Sequence, residues 1–251
     1  MIPWQRIMEK LDEFADREDY DGLEKLLLYW YGEAEMSGDD RGLLLVCNEL
    51  TGHYRKSGDQ EKAFRYADQS VKLLKVLEME QTVSAGTTYL NAATAYSAFG
   101  ENAHALELFG MAQAAYRGGS ADSVSPGQMG GLYNNMGLAL HALGRYEEAV
   151  QMYDRAMGYM EQVSNAQPEQ AITCLNKADS LAAGSDPALV DKQVSDLIEK
   201  AYMLLTDPSV PRNGYYAFVC DKCAPGFLYH GFFAEAEGLR NAAEEIRKNR
   251  Q

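Results

Sequence analysis

At four predicted turns along these 251 residues a glycine is followed five residues later by an alanine on an apolar helical face: Gly58 with Ala63, Gly100 with Ala105, Gly144 with Ala149, and Gly231 with Ala236. A pattern recurring at such an interval constrains the fold strongly, because it demands the same local structure each time. Apolar residues recur at three and four spacing almost throughout, and only seven prolines interrupt the chain, so the segments on both sides of each glycine are predicted helices. The glycine then marks a turn, and the alanine a point where two helix backbones approach closely.

The clearest copy is "LYNNMGLALHALGRYEEAVQMYDRAM": a helix from about Leu132, a break at Gly144-Arg145, and a second helix with Ala149, Tyr153 and Ala156 on one face. Gly137, Ala149 and Ala156 fall at positions eight, twenty and twenty-seven of a helix-turn-helix unit. In this the segment resembles the tetratricopeptide repeat. Carrying the register along the chain places repeats near 4–37, 44–77, 86–119, 130–163, 171–208 and 217–250. The expectation is a single all-α domain over 1–251, a right-handed superhelix of about six helix pairs. Successive starts are 40 to 46 residues apart, against a usual unit of 34, which suggests longer helices and loops. That is similar to the long-repeat branch of kinesin light chains and bacterial peptide sensors, here without an appended effector domain.

Three places depart from the pattern. The first repeat has Leu23 and Trp30 where small residues are usual, as in a divergent repeat or cap. In the fifth, "AAGSDPALVDK" is expected to lengthen the connection by about four residues. "GGSADSVSPGQMGG", residues 118 to 131, reads as a flexible loop between repeats.

Composition bears on partners. With 37 acidic and 23 basic residues the formal charge is −14, which repels phosphate backbones and anionic lipid, so neither nucleic acid nor a membrane is an expected partner. The opening "MIPWQRIMEKLDEF" has no secretory apolar core. A soluble cytoplasmic protein is expected, its four cysteines kept as thiols.

Two of those cysteines form Cys220-x-x-Cys223 in "AFVCDKCAPGFLYHGF", with His230 seven residues beyond. A structural zinc site needs four ligands, and only His230 lies within reach. In the register, Cys47, Cys174 and Cys220 all stand at position four, where Tyr89 and Tyr133 stand in other copies, so packing is the favoured reading and a metal or redox centre the alternative. No metal or cofactor is expected. Pro225-Gly226 should kink or shorten its helix.

A ladder of asparagines is the sharper signal. Asn91, Asn135 and Asn176 share position six of three consecutive repeats, in "YLNAATAY", "YNNMGLAL" and "CLNKADSL". The resemblance implies that the first helix of each pair lines a concave face, and that such asparagines can hold the backbone of an extended peptide. Asn48, Arg55, Leu90, Thr94, Asn134, Leu138, His141, Leu175, Asp179 and Tyr229 are expected on the same face. The alternative is that the asparagines bond between adjacent helices and stiffen the stack. A chaperone-type carboxylate clamp is not expected, because its five positions hold Asn48, Gly52, Asn91, Gly131 and Asn135, and only Asn91 fits. Acidic inner residues Glu9, Asp12, Glu49, Asp179 and Asp221 favour a neutral or basic segment. The reading is a non-enzymatic peptide- or protein-binding module. Self-association through "LLLYWYGEAEM" as a scaffold or homodimer stands as a rival.

Overall fold

A computed structural model describes residues 1–118 and 124–249. Among them the chain forms twelve α-helices and no strand: α1 (Trp4–Asp16), α2 (Tyr20–Ser37), α3 (Asp40–Ser57), α4 (Gln60–Val76), α5 (Val83–Ala98), α6 (Asn102–Gly118), α7 (Pro126–Ala142), α8 (Tyr146–Met160), α9 (Gln167–Gly184), α10 (Pro187–Thr206), α11 (Gly214–Tyr229) and α12 (Phe233–Lys248). The fold is all-α, built from six helix pairs. First helices begin at 4, 40, 83, 126, 167 and 214, three or four residues ahead of most repeat starts. Much of the added repeat length is therefore an extra helical turn.

Local chemistry sets the boundaries. Asp19, Asp39, Asp59, Thr82, Asp186 and Asn213 each accept a backbone N–H of the first turn through their side chains, and Ser125 forms a reciprocal capping box with Gln128. The recurring turn glycines end the first helices in the left-handed region: Gly144 has φ +72, and Gly58, Gly100 and Gly231 match it. A side chain there would be strained.

The chain forms two compact units, Met1–Val124 with α1 to α6 and Ser125–Gln251 with α7 to α12. In each, first and second helices of a pair meet through small residues against large ones. Ala149, Tyr153 and Ala156 are fully buried, and the Gly137 backbone lies so close to Tyr153 that a Cβ would stand 2.4 Å from its ring. The second unit's core continues through Ile198, Ala201, Leu205, Phe227 and Leu239.

Three expectations change. Residues 126–131 of the supposed loop are the first turns of α7, started by the Ser125 cap and Pro126, while 119–123 lie outside the described residues. The fifth connection is not longer: α9 runs to Gly184, α10 starts at Pro187, and only Ser185 and Asp186 lie between. Alanines that read as linker have high helix propensity and extend the helix instead. Pro225 neither stops nor shortens α11, which continues to Tyr229. Because Pro225 is on the exposed side, the carbonyl it leaves unpaired is open to water.

In the first repeat α1 buries only Ile7 and Leu11, and Leu23 and Trp30 of α2 are half-buried. A hydrogen bond of 2.7 Å from the Ile2 amide to Asp39 ties this end to the cap of α3.

Candidate binding face

The cysteines belong to the core. All four are free and buried, and Cys174, Cys220 and Cys223 pack in one apolar cluster. Burial pushes the thiols up, Cys47 and Cys223 to about 12 and Cys174 to about 11, with Cys220 raised as well, so they are protonated and poor nucleophiles. His230 is engaged elsewhere, 2.7 Å from Asp179 through Nε2. Among the described residues no group of three or more His, Cys, Asp or Glu is arranged for a metal, and no helix is long and apolar enough to cross a membrane.

In each unit the first helices carry polar residues at these register positions, and the structure divides them into two kinds. Several members bond sideways to the next first helix. In the first unit Asn48 of α3 donates to Thr88 Oγ1 of α5 at 3.0 Å and to the Leu44 carbonyl. In the second unit Asn134 Oδ1 of α7 accepts from Asn176 Nδ2 and from Thr173 Oγ1 of α9, both at 3.1 Å. His141 Nδ1 lies 2.7 Å from Ser180 Oγ, and Asp179 pairs with His230, the residue that caps the end of α11. These bonds repeat one arrangement, a polar side chain of one repeat reaching its neighbour some forty residues on. They pair most of the groups that packing would otherwise strip of water, while Asn48 Oδ1 stays buried with no hydrogen bond among the described residues.

Asn91 and Asn135 are the other kind. Both are half-buried at position six of α5 and α7, and neither side chain has a hydrogen bond among the described residues. Each amide retains a free acceptor and two donors. Of the other residues expected on this face, Thr94 is bonded to the Leu90 carbonyl of its own helix at 2.7 Å, Leu175 is buried and Leu138 is exposed. Arg55 is half-buried without an ion pair among the described residues, and burial lowers its affinity for its proton.

α11 adds a feature that sequence reasoning left out. Tyr229, expected on this face, is 80% exposed, and Phe218 at position two is 57% exposed, with Pro225 at position nine also open. The register that placed Tyr229 also placed Phe218 and Pro225. Glu49 occupies position six of the second repeat, the place of the asparagine in the next three.

Similarities to known proteins agree with the repeat geometry. Residues 131–168 match the tetratricopeptide repeat family. No curated protein matches the sequence. Among solved structures, BtubC (BKLC) from P. vanneervenii superposes with a TM-score of 0.69 at 16% identity, over 80% of this chain and 78% of that one. A putative kinesin light chain of nearly identical TPR-like repeats from Podosopora anserina gives 0.57 at 18% identity, over 83% and 96%. The apo form of RapI gives 0.59 at 14% identity over 98% of each chain. Likeness at these identities is likeness of fold.

Proposed function

We propose, for a chain whose fold is that of the tetratricopeptide-repeat proteins, a non-enzymatic function: the face lined by its first helices holds an extended peptide or partner segment. The observation that carries this reading is the contrast within the polar strip. Asn134 and Asn176 bond each other across repeats and Asn48 donates its amide N–H to Thr88 of the next, while Asn91 and Asn135 are half-buried with amides that neither donate nor accept among the described residues. An unpaired amide at a repeated position is suited to the alternating donors and acceptors of an extended main chain.

Energetics limits what these amides do. Two amides making two bonds each, at about 0.5–1.5 kcal/mol per bond, contribute about 2–6 kcal/mol against an association cost of about 4–15. Apolar contacts must supply the remainder, from Leu138 in α7 and from Phe218, Pro225 and Tyr229 in α11. The net charge of −14 favours a neutral or basic segment, and buried reduced thiols suit a cytoplasmic setting.

The test starts from a peptide selected against the full chain from a random library. Asn91→Ala and Asn135→Ala should each weaken it about tenfold, from the loss of one to two bonds, and the pair should abolish it. Equal affinity in folded variants would refute the reading.

A second reading has its own observation: α2 leaves Leu28, Tyr29 and Met36 exposed. Here two copies pair through α2, as contiguous exposed apolar groups do. Sedimentation velocity over a range of concentrations should then show a shifting boundary, and a constant monomer removes this reading.

A further inference from the structure

Position six holds Glu49 in the second repeat, and its surroundings differ from those of the asparagines. Between α1, α2 and α3 lies a cavity of about 440 Å³. Leu11, Leu23 and Leu27 form its apolar wall, and Glu49 and His53 line it from α3. The cavity follows from the irregular first repeat, where leucine stands at a position usually small and α1 buries only two side chains.

Glu49 is the group that needs explaining. Burial pushes its carboxyl above the usual range against the pull of Lys56, and the Asp12 carboxylate adds a lesser push. It has no hydrogen bond or ion pair among the described residues. Lys56, also at the cavity, is exposed and forms no ion pair with it, and burial holds His53 toward its neutral form. A carboxylate against apolar groups destabilises the fold unless something pairs with it. Gly52, one turn on, points the same way. It lines the cavity from a helix interior, where glycine is unfavourable, yet a Cβ there would meet no atom within 4 Å. Helix packing does not require that glycine, and any larger side chain would take space from the cavity.

We infer that this cavity is a subsite for a basic side chain, a lysine or arginine of the bound segment, with its aliphatic stem along Leu11, Leu23 and Leu27 and its charged head on Glu49. Such side chains bury an apolar stem while the head keeps a polar partner, and a cation on a partly desolvated carboxylate makes the stronger class of hydrogen bond. The charge of −14 draws cations to the protein. The inference rests on reading the first-helix face as the binding surface.

The experiment titrates the ¹⁵N-labelled full chain with single probes: N-acetyl-lysine N-methylamide, the arginine equivalent, the neutral norleucine equivalent, and pentylammonium. The basic amino-acid probes should shift amide signals in α1 to α3 and bind about tenfold or more tighter than norleucine, the ratio expected of a hydrogen bond to a charged group. Glu49→Gln should erase that preference while leaving norleucine unchanged, and Gly52→Leu should remove both. Equal binding of norleucine, unchanged preference in Glu49→Gln, or no shift with either basic probe would overturn the inference. Tighter binding of pentylammonium than of the capped lysine would replace it with a small-molecule amine site. Failure here with peptide affinity still dependent on Asn91 and Asn135 removes the subsite alone; loss of that dependence with the probes still bound removes the wider reading.

Discussion

Two glycines of α7 separate helix propensity from close packing. Gly131 and Gly137 lie in the same helix, so replacing either by alanine gains about 0.5–1 kcal/mol of backbone stability. At Gly131 the new Cβ meets nothing within 4 Å and the gain is kept. At Gly137 it would stand 2.4 Å from Cε1, 2.7 Å from Cζ and 2.8 Å from Cδ1 of Tyr153. The Tyr153 ring is fully buried, and relieving the overlap moves it by roughly 1 Å within a core that has no slack. Such overpacking costs about 1–3 kcal/mol. Gly131→Ala should therefore stabilise by about 0.5–1 kcal/mol and Gly137→Ala destabilise by up to about 2 kcal/mol. Their difference isolates the packing cost, because the propensity contributions cancel. Urea unfolding followed by far-ultraviolet circular dichroism measures both, provided the slopes match the parent. In thermal unfolding the two should part by about 2–4 °C per kcal/mol. Equal shifts in the same direction would show that the small residue at position eight has no packing role.

Other outcomes follow from the same geometry. In native protein none of the four thiols should react rapidly with a disulfide reagent at neutral pH, while all four should react in denaturant; a fast native pair would restore a redox role for Cys220 and Cys223. The Asn134 and Asn176 amides should show a coupling of about 0.5–1.5 kcal/mol in a double-mutant cycle of unfolding, and a zero coupling would deny the bond between α7 and α9. Glu49 has a raised folded-state pKa, so its protonated form stabilises the fold below the unfolded carboxylate pKa of about 4.3, and that contribution is lost as pH rises through the folded value. Glu49→Gln should thus gain stability over the parent as pH increases from 4 toward 7, measured by unfolding at each pH; a gap that narrows would refute the sign.

Individual residues show how far the sequence could be read. Gly144 and Ala149 located a turn and a contact because backbone φ and helix separation are set by one residue each. The same register found the position-six asparagines but not what they bond to. Asn134 and Asn176 are forty-two residues apart, and whether their amides meet depends on how two helices rotate about their axes. Asn91 and Asn135 look the same in sequence as Asn176, yet neither side chain has a hydrogen bond among the described residues. Linker-like composition misled at 126–131, where a Ser125 cap and Pro126 begin a helix in spite of four glycines within 127 to 137.

Helix number, turn positions and the burial of Cys47, Cys174, Cys220 and Cys223 were determined by the sequence alone, since they follow from periodicity and from one-residue constraints repeated along the chain. Tertiary structure decided which polar groups are used up between repeats, which remain open, and that Glu49 and Gly52 share a cavity with α1 and α2. Those outcomes depend on distances between helices, and no local pattern of residues encodes a distance that packing of the whole unit sets.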